Sequence, residues 1–352
     1  MKRSLIAATC LVAVAMSACG SSDSASRSPL TLVVYDSFPM KDTSLNKALA
    51  SFSASTGIVV NLVSAGDTGT MVSKAVLTSG KPEGDVMWGV DNTLLSRVLT
   101  AKVFESYASK ELGSVASELT ALVPAHDATP VDFGDVCINY DIAWFIAHSL
   151  TPPASLADLT KPEYRNLLTV ENPATSSTGL AFLLGTIRAL GDTSWVDYWK
   201  QLRANGVEVV DTWTTAYYTS FSGASGKGSR PIVVSYASSP PAEVIFADPP
   251  RTDAPTASVE ATCFRQVEFA GVLRGTKRAA EARQLVDFLA GAAFQSEVAL
   301  NLFVYPARTD VALPEAFTKF SSVAAHPFTM APDTIATNQQ GWIDQWTSTV
   351  LR

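Results

Sequence analysis

The chain has 352 residues, 47% of them hydrophobic and 17% charged, with a formal net charge of −7. That is the composition of a globular α/β chain, long enough for two lobes that each bury a core. An acidic chain without basic clusters argues against nucleic acid as a partner and against electrostatic adhesion to membranes, but does not repel a cationic small molecule.

Lys2 and Arg3 precede a short apolar run at residues 5–14, and Met16-Ser17-Ala18-Cys19 follows. This reads as a lipoprotein signal peptide over 1–18, with Cys19 acylated as the mature N-terminus. The Ser-rich stretch GSSDSASRS then reads as a flexible tether over 19–29. The apolar run is too short to span a bilayer, so the expected product is a globular domain tethered by lipid outside the cytoplasmic membrane.

Residues 30–35 (LTLVVY) form the first predicted strand, and a turn follows at Ser37-Phe38-Pro39. Residues 44–56 predict a helix with Leu45, Ala48, Leu49 and Phe52 on one face, ended by Gly57. A strand at 58–63, the loop Asp67-Thr68-Gly69-Thr70, a helix at 71–78 and a strand at 85–90 complete a β-α-β-α-β series. That order predicts a parallel sheet flanked by helices. After an extended segment at 131–140 the rhythm resumes: strands at 167–171, 207–210 and 232–236, with a helix at 179–190. Residues 267–273 are extended again, and helices are predicted at 277–290, 293–302 and 339–350. The chain therefore crosses twice between lobes, near 133 and 267, giving 30–132 with 268–352 as one lobe and 133–267 as the other.

Of the four cysteines, Cys10 leaves with the signal and Cys19 carries lipid, so Cys137 and Cys263 remain. In an oxidising compartment an isolated pair reads most simply as a disulfide, two buried thiols being the alternative. His126, His148 and His326 are scattered, and no Cys/His spacing suggests a metal site.

Ligands of open α/β sheets sit beyond the carboxyl ends of the strands, so the loops there carry the functional reading. They are rich in hydroxyls and aromatics and hold no nucleophile with a base, nor a G-x-S-x-G elbow, so no enzyme is expected. Asp67-Thr68-Gly69-Thr70 and Thr175-Ser176-Ser177-Thr178-Gly179 each open a predicted helix. Either loop is explained by ordinary N-capping, whereas two of them, one per lobe, also suit a bound phosphate. Tyr35, Trp213, Tyr217 and Tyr236 lie at strand ends or in loops, where aromatic faces would attract a cationic ring. Adjacent Tyr217 and Tyr218 leave a ferric-ion site open as an alternative. Trp199, Trp342 and Trp346 fall on predicted helices and read as core.

Tyr35-Asp36-Ser37-Phe38, Gly89-Val90-Asp91-Asn92 and Asn172-Pro173-Ala174-Thr175-Ser176 together resemble the periplasmic thiamine-binding proteins of ABC importers. So do Trp213 with Ala216-Tyr217, Ser235-Tyr236 followed by Ser239-Pro240, Val304-Tyr305-Pro306, and the tail Gly341-Trp342-Ile343-Asp344-Gln345-Trp346. The resemblance runs in order from about residue 30 to the end. It implies an α/β, two-lobed type II periplasmic binding protein fold, with a cleft between lobes and two crossing hinge strands. It further implies a binding protein without catalysis or cofactor, taking thiamine or thiamine phosphates and passing them to a permease and its ATPase. By position, Tyr35, Trp213, Tyr236 and Phe303 would line the rings, with Tyr217 nearby. Asp67, Thr68, Ser176 and Ser239 would lie near the hydroxyethyl or phosphate end. Two departures stand out: Phe303 replaces a family tryptophan, and Pro241-Ala242 falls where the family has a tyrosine, leaving a gap in the cage. A monomer is expected. The rival readings are a ferric-ion-binding protein of the same fold and an exported phosphate-ester hydrolase.

Overall fold

The computed structural model describes residues 28–352 apart from Gly226 and Pro250. The signal peptide, Cys19 and most of the tether lie outside the described residues. Ten strands form a single sheet: β1 (Leu30–Val34), β2 (Val60–Ser64), β3 (Val86–Asp91), β4 (Phe104–Glu105), β5 (Thr129–Asp141), β6 (Leu168–Glu171), β7 (Glu208–Val210), β8 (Ile232–Tyr236), β9 (Thr256–Leu273) and β10 (Tyr305–Pro306). Their spatial order is β2-β1-β3-β9-β5-β8-β6-β7, with β4 on β9 and β10 on β5.

Two parallel units, β2-β1-β3 and β8-β6-β7, flank an antiparallel centre made by β5 and β9. β3 is buried at every position, as expected of a strand covered by helices on both faces. β5 and β9 run for 13 and 18 residues, well beyond the usual strand of about 5–6, because each serves both units in turn. They are the crossing strands. β9 begins at Thr256, earlier than the predicted extended segment at 267. Its first half hides the alternation: Val136 pairs with Phe264 and Ile138 with Val259, so a step of two on β5 is matched by five on β9. That irregularity scrambles the period from which a strand is read. Cys137 and Cys263 meet there in a disulfide, their Cα atoms 4.2 Å apart.

The first helix occupies Ser44–Thr56 as predicted. Thr43 and Asn46 form a capping box, Gly57 closes the end in the left-handed conformation, and Leu45, Leu49 and Phe52 face the core. In the second unit the helix Ser177–Leu190 is buried along most of its length.

The chain's end touches both units. The last helix, Pro332–Val350, begins seven residues before the predicted 339 because proline is accommodated in a first helical turn. It makes contacts on both sides of the lobe boundary. Trp346 packs edge-on against Trp199 with ring centroids 5.4 Å apart, and the Arg203 guanidinium donates to the Thr349 carbonyl, both contacts with the second unit. Gln339 Nε2 meanwhile donates to the Thr93 carbonyl of the first. The helix contacts both units; Trp199 and Trp346 are core as expected, whereas Trp342 is only half-buried.

Candidate functional site

The loops at the carboxyl ends of β1, β6 and β8 meet the helix starts at Thr68 and Trp213 around a cleft of about 310 Å³. That volume is at the small end of the roughly 300–1,000 Å³ of small-molecule sites. Tyr35, Asp67, Thr68, Ser176, Trp213, Tyr236, Ser239 and Phe303 all line it.

Tyr35 and Tyr236 stand over glycines that the sheet provides. A Cβ on Gly89 would lie 2.3 Å from the Tyr35 ring, and Gly89 also holds a φ of +99°, which disfavours any other residue. A Cβ on Gly134 of β5 would lie 2.8 Å from the ring of Tyr236. Trp213 is fixed from two sides. Its Nε1 donates to Ser235 Oγ at 3.0 Å, and its face stacks on Tyr217 with centroids 5.0 Å apart and planes 14° apart. Ser239 Oγ lies 2.8 Å from Ser235 Oγ and accepts from the Tyr236 backbone N–H.

Tyr217 does not face the cleft. Ala216–Ser220 winds as a π-helix, which turns Tyr217 beneath Trp213 to 1% exposure and swings Tyr218 into the lining instead. The two phenol rings are near-perpendicular, at 84°. Burial, then the nearby Glu243, pushes the Tyr217 hydroxyl well above its ordinary pKa. Of the two phenols, Tyr218 alone lines the cleft.

Among the lining residues that went unread in the sequence are Phe246 and Glu268. Phe246 follows the short helix Pro240–Ile245, one turn beyond Ala242, and its ring meets that of Phe303 edge-on at 5.4 Å. It is 68% exposed. Glu268 of β9 comes up through the floor between the two tyrosines. A run of apparent core, VEFAGVL, concealed it.

The hydroxyl end is less welcoming to phosphate than its sequence suggests. Asp67 caps the helix Thr68–Leu77, with Oδ1 accepting from Thr68 N at 2.7 Å. Its Oδ2 reaches across to the other lobe and accepts from Trp213 N at 3.0 Å. The carboxylate thus occupies the place between two helix starts where an anion would sit. Beside it the lobes touch backbone to backbone: a Cβ on Gly69 would lie 2.4 Å from the Thr175 carbonyl oxygen. Burial, only partly offset by these hydrogen bonds, lifts the Asp67 carboxyl to about 6. Ser176 closes on Thr178, their hydroxyl oxygens 3.0 Å apart, at the start of the helix Ser177–Leu190. The charged residues lining the cleft are Asp36, Asp67 and Glu268, and among the described residues no Lys, Arg or His joins them. The site is electronegative and aromatic, suited to a flat cation.

Residues 84–324 match the family model of the bacterial extracellular solute-binding proteins. The thiamine-binding periplasmic protein of Salmonella typhimurium is 27% identical over 323 residues, covering 92% of this chain and 94% of that protein. A solved periplasmic thiamin binding protein superposes with a TM-score of 0.79 at 25% identity, covering 92% of this chain and 96% of that one. The periplasmic binding protein AfuA from Actinobacillus pleuropneumoniae, at 15% identity, shares the fold with a TM-score of 0.76 over 92% of this chain and 98% of its own. The architecture is that of the type II periplasmic binding proteins, as the resemblance implied.

Proposed function

The chain belongs to the bacterial extracellular solute-binding proteins, and on that premise we propose that it captures thiamine in the interlobe cleft for delivery to an ABC permease and its ATPase. The observation that carries this reading is the cleft itself: Tyr35, Trp213, Tyr236 and Phe303 around a floor carboxyl, without a lining cation. A thiazolium ring supplies the complementary charge, and each aromatic face contributes about 0.5–2 kcal/mol to holding it. The likeness to thiamine-binding relatives over most of the chain supports the same ligand. We place the protein outside the cytoplasm, monomeric and held by a lipid on Cys19. No helix among the described residues is long and apolar enough to cross a membrane.

Within this reading thiamine is preferred to its phosphates, because Asp67 already fills the anion position and Asp36 adds a second lining carboxyl. The protein binds and releases its ligand unchanged. Native mass spectrometry of protein purified without refolding, followed by titration with thiamine and thiamine phosphate, tests the proposal. The expected result is a retained or restored thiamine adduct with weaker binding of the phosphate. Absence of any thiamine adduct, or release of inorganic phosphate on incubation, would overturn it.

A further inference from the structure

Three carboxyls stand side by side beneath the cleft, and of these Glu268 lines it. Asp91 of β3 is in register with Glu268 of β9, and Glu268 is in register with Asp132 of β5. Asp91 and Asp132 are fully buried, and Glu268 is 5% exposed. They are not equivalent. Asp91 is well supplied with donors: Thr93 Oγ1 at 2.7 Å, Leu94 N at 3.1 Å, and Gln266 Nε2. Gln266 is held in that orientation by Tyr236, whose hydroxyl donates to its Oε1 at 2.6 Å. Neither oxygen of Asp132 receives a donor, nor does Oε2 of Glu268. The side chains of Asp132 and Glu268 lie within hydrogen-bonding reach of each other, so a single proton placed between them satisfies both. Two carboxylates this close in a buried site cannot both remain charged without one.

We propose that Asp132 and Glu268 share one proton in the empty cleft and release it when a cationic ligand enters. This rests on the reading of the cleft as a thiamine site. Of the groups around the pair, Asp91 from β3 opposes charge on both carboxyls, whereas Tyr35, just beyond β1, hydrogen-bonds Glu268 and favours its charged form; Tyr236 of β8 also faces Glu268, with Asp67 beyond it. None of them is cationic. Burial, then the neighbouring carboxyls, pushes Glu268 well above its ordinary range; burial and Asp91 raise Asp132, against the opposing hydrogen bond with Glu268. A cation on the floor reverses the balance, because it supplies the positive charge that the proton supplied and stabilises Glu268 as a carboxylate. The proton passes to solvent as the ligand seats, and the charge on the floor is conserved. Binding then strengthens as pH rises, by up to about tenfold per pH unit where a full proton is released.

Calorimetric titration of the unaltered protein with thiamine at pH 7, repeated in buffers of different ionisation enthalpy, reads the proton directly. The expected heat varies with the buffer in the sense of release, at about half to one proton per ligand. Asp132→Asn, which leaves Glu268 with a neutral partner, is expected to bind thiamine with that buffer dependence lost. Binding without proton release in the unaltered protein overturns the proposal while leaving the thiamine reading intact. Absence of binding at any pH from 5.5 to 8.5 overturns the thiamine reading and the proposal with it. Should the variant fail to fold, the unaltered protein still decides both questions.

Discussion

Trp213 shows how one side chain answers to both ligand and fold. Its ring lines the cleft, yet it also stacks on Tyr217 and donates to Ser235. Trp213→Ala is therefore expected to weaken thiamine binding by roughly 1.5–3 kcal/mol, about ten- to a hundredfold in Kd, with a loss of about 1 kcal/mol in ligand-free stability for the vanished hydrogen bond. Thermal denaturation beside fluorescence titration separates the two losses; a large fall in stability with unchanged affinity would make Trp213 a core residue only. Phe246 is the contrasting case, because its ring is mostly exposed and touches little beyond Phe303. Phe246→Ala should cost affinity by about 0.5–2 kcal/mol with no measurable change in melting temperature. Unchanged affinity would remove it from the cage. These two residues mark the limit of what the sequence discloses. Trp213 and Tyr236 are legible because they follow strands, and strand ends are where such clefts open. Phe246 is hidden by a helical turn of variable direction, and Tyr217 by a π-turn that exchanges its role with Tyr218.

At the scale of elements, the crossing strands were legible as extended segments but their full length was not, since the irregular pairing around Cys263 breaks the period. The disulfide fastens that weak point. It closes a loop of sequence separation 126, for which the chain-entropy model gives on the order of 4–5 kcal/mol as an upper figure. Replacing both cysteines by alanine should lower the melting temperature while leaving thiamine binding within a few-fold. If stability is unchanged and binding loosens, the bond sets the geometry of the crossing strands and contributes nothing to their persistence. The last helix is the element whose allegiance no local pattern could announce. Trp342 and Trp346 advertise a buried face, but only the assembled sheet decides that Trp346 meets Trp199 across the lobe boundary.

The whole molecule carries a cost for its acidic floor. Asp67 and Asp91 are each raised from the ordinary carboxyl value to about 6 by burial, so the folded chain holds their protons more tightly than the unfolded chain. The sign follows from linkage: their contribution is most favourable at low pH and is lost as pH climbs from about 4 through 6. The Asp132–Glu268 pair extends the loss further upward. The melting temperature of the ligand-free protein is expected to fall between pH 5 and pH 8, measured by calorimetry at constant ionic strength, and a flat or rising profile would contradict the burial of these groups as acids. Gly69 has a different bearing on the whole. With no Cβ, it lets the two lobes meet at the Thr175 carbonyl. A single methyl group there would act as a doorstop, holding the jaws ajar without touching the ligand. Gly69→Ala should thus yield a receptor that admits its cargo quickly and drops it early, a dissociation rate raised beside a nearly constant association rate in stopped-flow traces, and a means of asking whether the transporter recognises the cargo or the shut mouth around it.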